Sequence, residues 1–272
     1  MSEKVYMDKD IWVGILDAVR LKVYSNKQYV AGEVVPVINS LESPLIPPDL
    51  PNDGATRIGY SLPDTAPNKT CRLHYCGETA GTTVVFDWGD GTTTTSTGSG
   101  YKTVTHTHTS GGNYTLVIKV TAGSIYFGGG TTHTLWGTYN DNTYLRPRFK
   151  WVVFGNVGFD SYALYTAYGL ETVKLPAGIT IIKTWALSNC ITLREIDVPA
   201  TVTALYSAAF AAGYNLKRIR FNSATPPTVD NEIVFNSLPA DCVISVPTGK
   251  LSAYTSAANY PNSDNYTYVE ED

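Results

Sequence analysis

The chain has 272 residues, 43% of them hydrophobic and 16% charged, with a formal net charge of −4. The charged fraction falls below the roughly 25% usual for soluble domains, so polar surface must come from Thr, Ser, Asn, Gly and 19 Tyr. No Lys/Arg block offers the footprint of a nucleic-acid binder, and no apolar run reaches the roughly 18 residues of a membrane span.

At roughly 100–200 residues per domain, this length suggests about two domains. Met1-Ser2-Glu3-Lys4 has no basic flank leading into an apolar core, so no signal peptide is expected. Assembly in the cytosol and removal of a leader both fit that start. Residues 1–43 predict a helical hairpin. Ile11, Ile15, Leu16 and Val19 share one helical stripe, and Asp8 or Asp10 is placed to cap it. A second segment from Tyr29 to Leu41 is broken by Gly32 and Pro36. Helices this short need a docking surface.

The run Asp10-Ile-Trp-Val-Gly-Ile-Leu-Asp-Ala-Val-Arg-Leu-Lys22, followed by Glu33-Val-Val-Pro-Val-Ile-Asn-Ser-Leu41, resembles an N-terminal segment common in structural proteins of bacteriophages and prophages. That resemblance implies an anchor to a virion component, and a segment through which copies would oligomerise. Residues 44–54 carry Pro44, Pro47, Pro48 and Pro51. Proline fixes φ and removes donors, so an extended linker is expected.

Residues 55–147 predict an antiparallel β domain. Thr70–Tyr75, Thr83–Trp88 and Tyr114–Thr121 read as strands, cut by Gly and Asn. Asp90-Gly91 signals a tight hairpin turn with positive φ at both central residues. Phe86 and Trp88 fall on one strand face and can fill the space between sheets. Tyr114 follows a Gly-Gly corner, where a phenol can tie a loop back to the backbone.

The string Phe86-Asp-Trp-Gly-Asp-Gly-Thr92, with His106-Thr-His-Thr-Ser-Gly-Gly-Asn-Tyr-Thr-Leu-Val-Ile-Lys-Val-Thr121, resembles the PKD domain. It departs from that family in exchanging the usual Trp and Phe slots and in placing His108 where Tyr is usual. The resemblance implies an immunoglobulin-like β-sandwich, with Trp88 and Tyr114 in structural roles. Asp87 and Asp90 do not make a calcium cage, which needs six or more oxygens. His106 and His108 share a strand face, but two His without a third ligand do not make a catalytic zinc site. No metal site and no cofactor are therefore expected.

Between the two regions, the Gly128-Gly129-Gly130 run lacks the Lys-Ser/Thr tail of a phosphate loop. It reads as a turn in a crossover. Trp136, Tyr139 and Tyr144 lie in this stretch and would stack on sugars if exposed.

Residues 148–272 show a repeat. Leu170, Leu193 and Leu216 are 23 residues apart, and other apolar columns keep step. These are Val173, Ile196 and Ile219; Leu175, Val198 and Phe221; Ile182 and Leu205; and Ala186-Leu187 and Ala209-Phe210. A fixed period of this length marks stacked coils, each burying its columns against its neighbours. Leu170, Leu193 and Leu216 are the structural residues of that stack. The columns resemble the BspA-like leucine-rich repeat, and Val246-Pro-Thr-Gly-Lys-Leu-Ser-Ala-Tyr254 resembles the terminal segment of such proteins.

No catalytic constellation is expected. There is no Gly-x-Ser-x-Gly elbow, nothing marks a reactive Cys, and no strand-end Glu pair stands out. The four Cys form no CxxC pair. The expected protein is mainly β and multi-domain, with a helical hairpin, an Ig-like (PKD-like) sandwich and a leucine-rich-repeat solenoid. The expected function is a non-catalytic virion-associated protein contacting other virion or cell-surface proteins or host glycans. The alternatives are a bacterial surface or secreted adhesin and a carbohydrate-binding accessory module.

Overall fold

The computed structural model describes residues 46–47, 49–64, 69–131, 133–136 and 148–271. The expected helical hairpin, Tyr139 and Tyr144 lie outside the described residues. The chain divides into two compact units, residues 1–48 and 49–272.

The second unit begins with β1 (Thr56–Leu62), β2 (Thr70–Gly77), β3 (Thr83–Asp87), β4 (Thr93–Thr97), β5 (Gly100–Thr107), β6 (Gly112–Ala122) and β7 (Ile125–Phe127). They form two sheets, with β1-β6-β3-β4 consecutive in one and β5-β2-β7 in the other. The period-2 pattern sends one face of each strand inward. Leu73, Tyr75, Val84, Phe86, Val104, Leu116 and Ile118 are all buried in the shared core. Phe86 and Trp88 are fully buried, with rings stacked 6.0 Å apart. Trp88 Nε1 donates to Thr94 Oγ1 at 3.0 Å, which satisfies the one polar atom of that indole. Tyr114 Oη donates to the Ser110 carbonyl at 2.9 Å.

The turn after β3 departs from the expected one. Positive φ falls on Gly89 and Gly91, and Asp90 is not among the left-handed residues. Trp88 N donates to Thr92 O at 3.1 Å, so the connection is longer than a two-residue turn. The reason lies in Asp90. Its Oδ1 accepts from Thr92 N at 3.0 Å and from Thr92 Oγ1 at 2.6 Å, a local side-chain bond that competes with the simple hairpin turn.

The rest of this unit is a solenoid. Its strands are β8 (Arg148–Val153), β9 (Gly158–Phe159), β10 (Thr172–Lys174), β11 (Ile181–Ile182), β12 (Glu195–Val198), β13 (Ala204–Leu205), β14 (Arg218–Phe221), β15 (Thr228–Val229), β16 (Val243–Pro247) and β17 (Thr267–Glu271). One face stacks β12-β14-β16-β17 and another stacks β11-β13-β15, all parallel. The register matches the sequence period: Ile196 pairs with Ile219, Val198 with Phe221, and Ile182 with Leu205. Leu170, Leu193 and Leu216 are 0%, 2% and 2% exposed, so the leucine column lies inside the stack.

The third side of each coil is a series of turns. Here backbone amides donate to the next coil: Leu164 N to Ala186 O, Leu187 N to Ala209 O, and Phe210 N to Val234 O, at 2.8–3.0 Å. Beyond Leu216 the step lengthens. Ala204 pairs with Thr228 and Arg218 with Val243, steps of 24 and 25 residues; one extra residue falls in the stretch with Pro226 and Pro227 and the second after Val229. The stack closes with helix α1 (Leu251–Thr255), whose Tyr254 is fully buried and donates from Oη to Ser223 O at 2.7 Å.

The β part and the solenoid share sheets. Strand β8 pairs antiparallel with β1 on one side and parallel with β10 on the other. Strand β9 likewise extends the other sheet, parallel to β7. The β part thereby covers the open end of the solenoid, a job that repeat arrays otherwise give to capping coils.

All four cysteines are buried and free. Burial pushes the thiols of Cys71, Cys190 and Cys242 up to about 12. A thiol that is neither ionised nor accessible is inert. The native chain should therefore show no fast reaction with Ellman's reagent at about pH 8, and all four thiols should react in guanidinium. One fast-reacting thiol in the native chain would contradict this burial.

Candidate functional site

The sequence predicts a stacking face at Trp136. The side chain is only 7% exposed and packs on Phe149, with ring centroids 4.2 Å apart. The reading of Trp136 as a sugar platform is corrected: a ring enclosed in the core has no free face. The strand face of the solenoid, another natural surface for contacts, is tiled with ion pairs. Arg218 meets Glu195 at 2.7 Å, and Arg220 meets Glu271 at 2.7 Å. Those charges already have partners.

Aromatic surface collects instead on the turn side. Tyr162, Tyr165 and Trp185 are half-buried. The Tyr162 and Trp185 rings are parallel within 3° at 6.2 Å. Tyr165 stands edge-on to both, at 5.5 and 5.6 Å. Tyr168, on the coil of Tyr162, is 37% exposed, and Tyr206, on the coil after that of Trp185, is 43% exposed. Lys183, two residues before Trp185, pairs with Asp160 at 2.8 Å. It also lines a cleft of about 450 Å³ together with Ile125, Val157, Phe159 and Ile181.

The backbone under this ledge is periodic. Tyr162, Trp185 and Ala208, spaced by 23 residues, have φ of +63°, +59° and +57°. Thr166, Asn189 and Ala212 form a second such column, with φ of +61°, +59° and +57°. The coil geometry therefore imposes a left-handed residue at fixed corners. Left-handed conformation costs about 1–2 kcal/mol for a residue with a Cβ, and it is least expected of bulky side chains. Ala208 shows that a small residue fits this corner, yet two coils place a Tyr and a Trp there. Composition alone gives no sign of this, because the corners lack the glycine that usually announces positive φ.

A second cluster lies in the β part. Asp90, His106 and His108 bring one ligand atom each to within 4.8 Å of one another. His106 Nε2 and His108 Nδ1 are 2.6 and 3.0 Å from Asp90 Oδ2. His106 stacks on Trp88 at 4.8 Å, and His108 on Tyr114 at 4.0 Å. Desolvation pushes the Asp90 carboxyl up, but hydrogen bonds from Thr92 and His106 together outweigh it and hold the group well below the usual carboxylate range. Burial, then the neighbouring His106, lowers the His108 pKa. Burial raises that of the Tyr60 phenol. The expectation of no metal site rests on the lack of a third ligand beside the two His, and the fold supplies Asp90.

Residues 157–239 match the model of the BspA type leucine rich repeat region, in six copies. A comparison with curated proteins gives no match. Among the described residues, no helix is long and apolar enough to cross a membrane.

Proposed function

We propose that this chain, built on a BspA-type leucine-rich repeat, is a non-catalytic contact protein of the surface-adhesion type that works through the aromatic ledge of its coils. The observation that carries this reading is the pair of bulky residues, Tyr162 and Trp185, held at positive φ. Backbone strain that a smaller residue would lessen is retained where a side chain has work to do. Tyr and Trp suit that work, since they offer large rigid contact area at low entropy cost. The ligand class is a protein or a glycan of a cell or particle surface.

The β part serves as spacer and cap in this reading. Its PKD-like character is supported by the facing sheets, the buried Trp88 and the tied-back Tyr114. Placement on a bacteriophage or prophage particle rests on the resemblance of residues 10–41 to phage structural segments. Mass spectrometry of native particles tests it: the chain is expected among their proteins, and its absence would remove that placement. A bacterial surface adhesin uses the same ledge.

Glycine at position 185 suits φ of +59° and removes the ring, so Trp185→Gly separates binding from folding. The full chain and this variant should be compared on a glycan array and in adhesion to intact bacterial cells. Saturable binding is expected in at least one assay, with a loss on the order of tenfold or more in the variant, the size of one interface hot spot. The melting temperature should change little. Equal binding by the variant, or no binding by either protein, would overturn the reading.

A further inference from the structure

We infer that Asp90, His106 and His108 form a binding site for one divalent transition-metal ion of the zinc class. The hydrogen bonds around His108, a residue only 3% exposed, point to it first. Tyr60 Oη donates to the Trp88 carbonyl at 3.1 Å. The tautomer of His108 that lets this oxygen serve both contacts puts the ring N–H on Nε2, donating to Tyr60 Oη at 2.7 Å. In the neutral imidazole, Nδ1 then carries a bare lone pair.

That lone pair faces Asp90 Oδ2 at 3.0 Å. The contact is misaligned for a hydrogen bond, and the buried Nδ1 has no hydrogen-bond partner among the described residues. Two electron-rich atoms at that distance repel in a site of low dielectric. A cation between them removes the repulsion, and the surroundings are arranged as for a metal. Asp90 Oδ1 is occupied by Thr92, which leaves Oδ2, the oxygen that both imidazoles already face, as the ligand atom. Tyr60 fixes the tautomer and orientation of His108 from behind, the usual task of a group behind a metal-binding histidine.

Two imidazoles and a carboxylate are the donor set of three-ligand zinc sites, with water in the fourth position. Bonds of 2.0–2.1 Å in a tetrahedron separate ligand atoms by about 3.3 Å. The 2.6 Å contact between His106 and Asp90 must therefore widen on binding. The His106 ring lies flat on Trp88, 18° from parallel, and can slide across that surface. Side-chain exposures of 15% and 19% at His106 and Asp90 leave an entry path.

The test is titration of Zn²⁺, and separately Co²⁺, into the chelator-stripped full chain. Calorimetry should give one ion per chain, and Co²⁺ should develop the visible absorption of a four-coordinate N/O site. Asp90→Asn keeps an oxygen for Thr92 but loses the charged ligand atom, so its affinity should fall on the order of a hundredfold. Tyr60→Phe removes only the group behind His108 and should weaken binding by roughly 10–100-fold. Absence of stoichiometric binding of either ion would overturn the inference, leaving the cluster as a proton-bridged brace between β5 and the turn after β3. Equal affinity in the wild type and in Asp90→Asn would overturn it as well.

Discussion

Replacing Phe210 with alanine should remove about 3–5 kcal/mol of folding stability. Phe210 is 1% exposed, and its ring stacks on Phe235 of the following coil at 6.0 Å. Its backbone amide is bonded to Val234 O at 3.0 Å. The coil is therefore held on the side where it would have to collapse, and a cavity left by the ring would persist. Urea unfolding measures the loss as a lower midpoint with little change in slope. Tyr206→Ala, made at a 43% exposed position one coil surface away from the core, should stay within about 0.5 kcal/mol of wild type. A Phe210→Ala variant as stable as wild type would mean that the coils do not bury that column.

The second large effect is expected at Gly155, in the seam between the β part and the solenoid. An added Cβ there would overlap the Gly54 carbonyl oxygen and lie 2.5 and 2.6 Å from the carbonyl carbons of Gly54 and Ala55. These are backbone atoms, fixed by Asn156 N donating to Gly54 O at 2.9 Å and Gly155 N donating to Thr56 Oγ1 at 3.0 Å. No rotamer change relieves such a clash, so Gly155→Ala should destabilise by about 3 kcal/mol, the upper end of overpacking effects. Hydrogen exchange localises the damage. Protection should fall in β1 and β8, and in β10 beyond them, because one hydrogen-bonded sheet carries all three. Loss confined to one side of the seam would show that the two parts fold independently.

The solenoid was legible in the sequence because its burial is local and periodic. Leu170, Leu193 and Leu216 sit at one point of successive coils, so the same environment selects the same residue type every 23 positions. The last coil was less legible, since steps of 24 and 25 residues shift its columns out of phase. The aromatic ledge was hidden for another reason. Its corners hold Tyr, Trp, Thr, Asn and Ala, and none of these announces positive φ as Gly would.

The burial of Trp136 was illegible because it depends on Phe149, far enough along the chain that no local pattern encodes the contact. The cluster at Asp90 shows the same limit from the other side. The sequence displays the His106–His108 pair and the Asp90 turn separately. Only the packing of the turn after β3 against the end of β5 brings the three side chains together.

Ligand contact on the turn side of the coils, at Trp185, is tested most directly by photo-crosslinking. A photoreactive phenylalanine analogue is placed at position 185 in one chain. In another it replaces Asp197, whose side chain on the ion-paired strand face is 68% exposed. On intact cells or particles that the wild-type chain binds, position 185 is predicted to crosslink and position 197 to stay unlinked. Crosslinks from position 197 with none from position 185 would contradict the account.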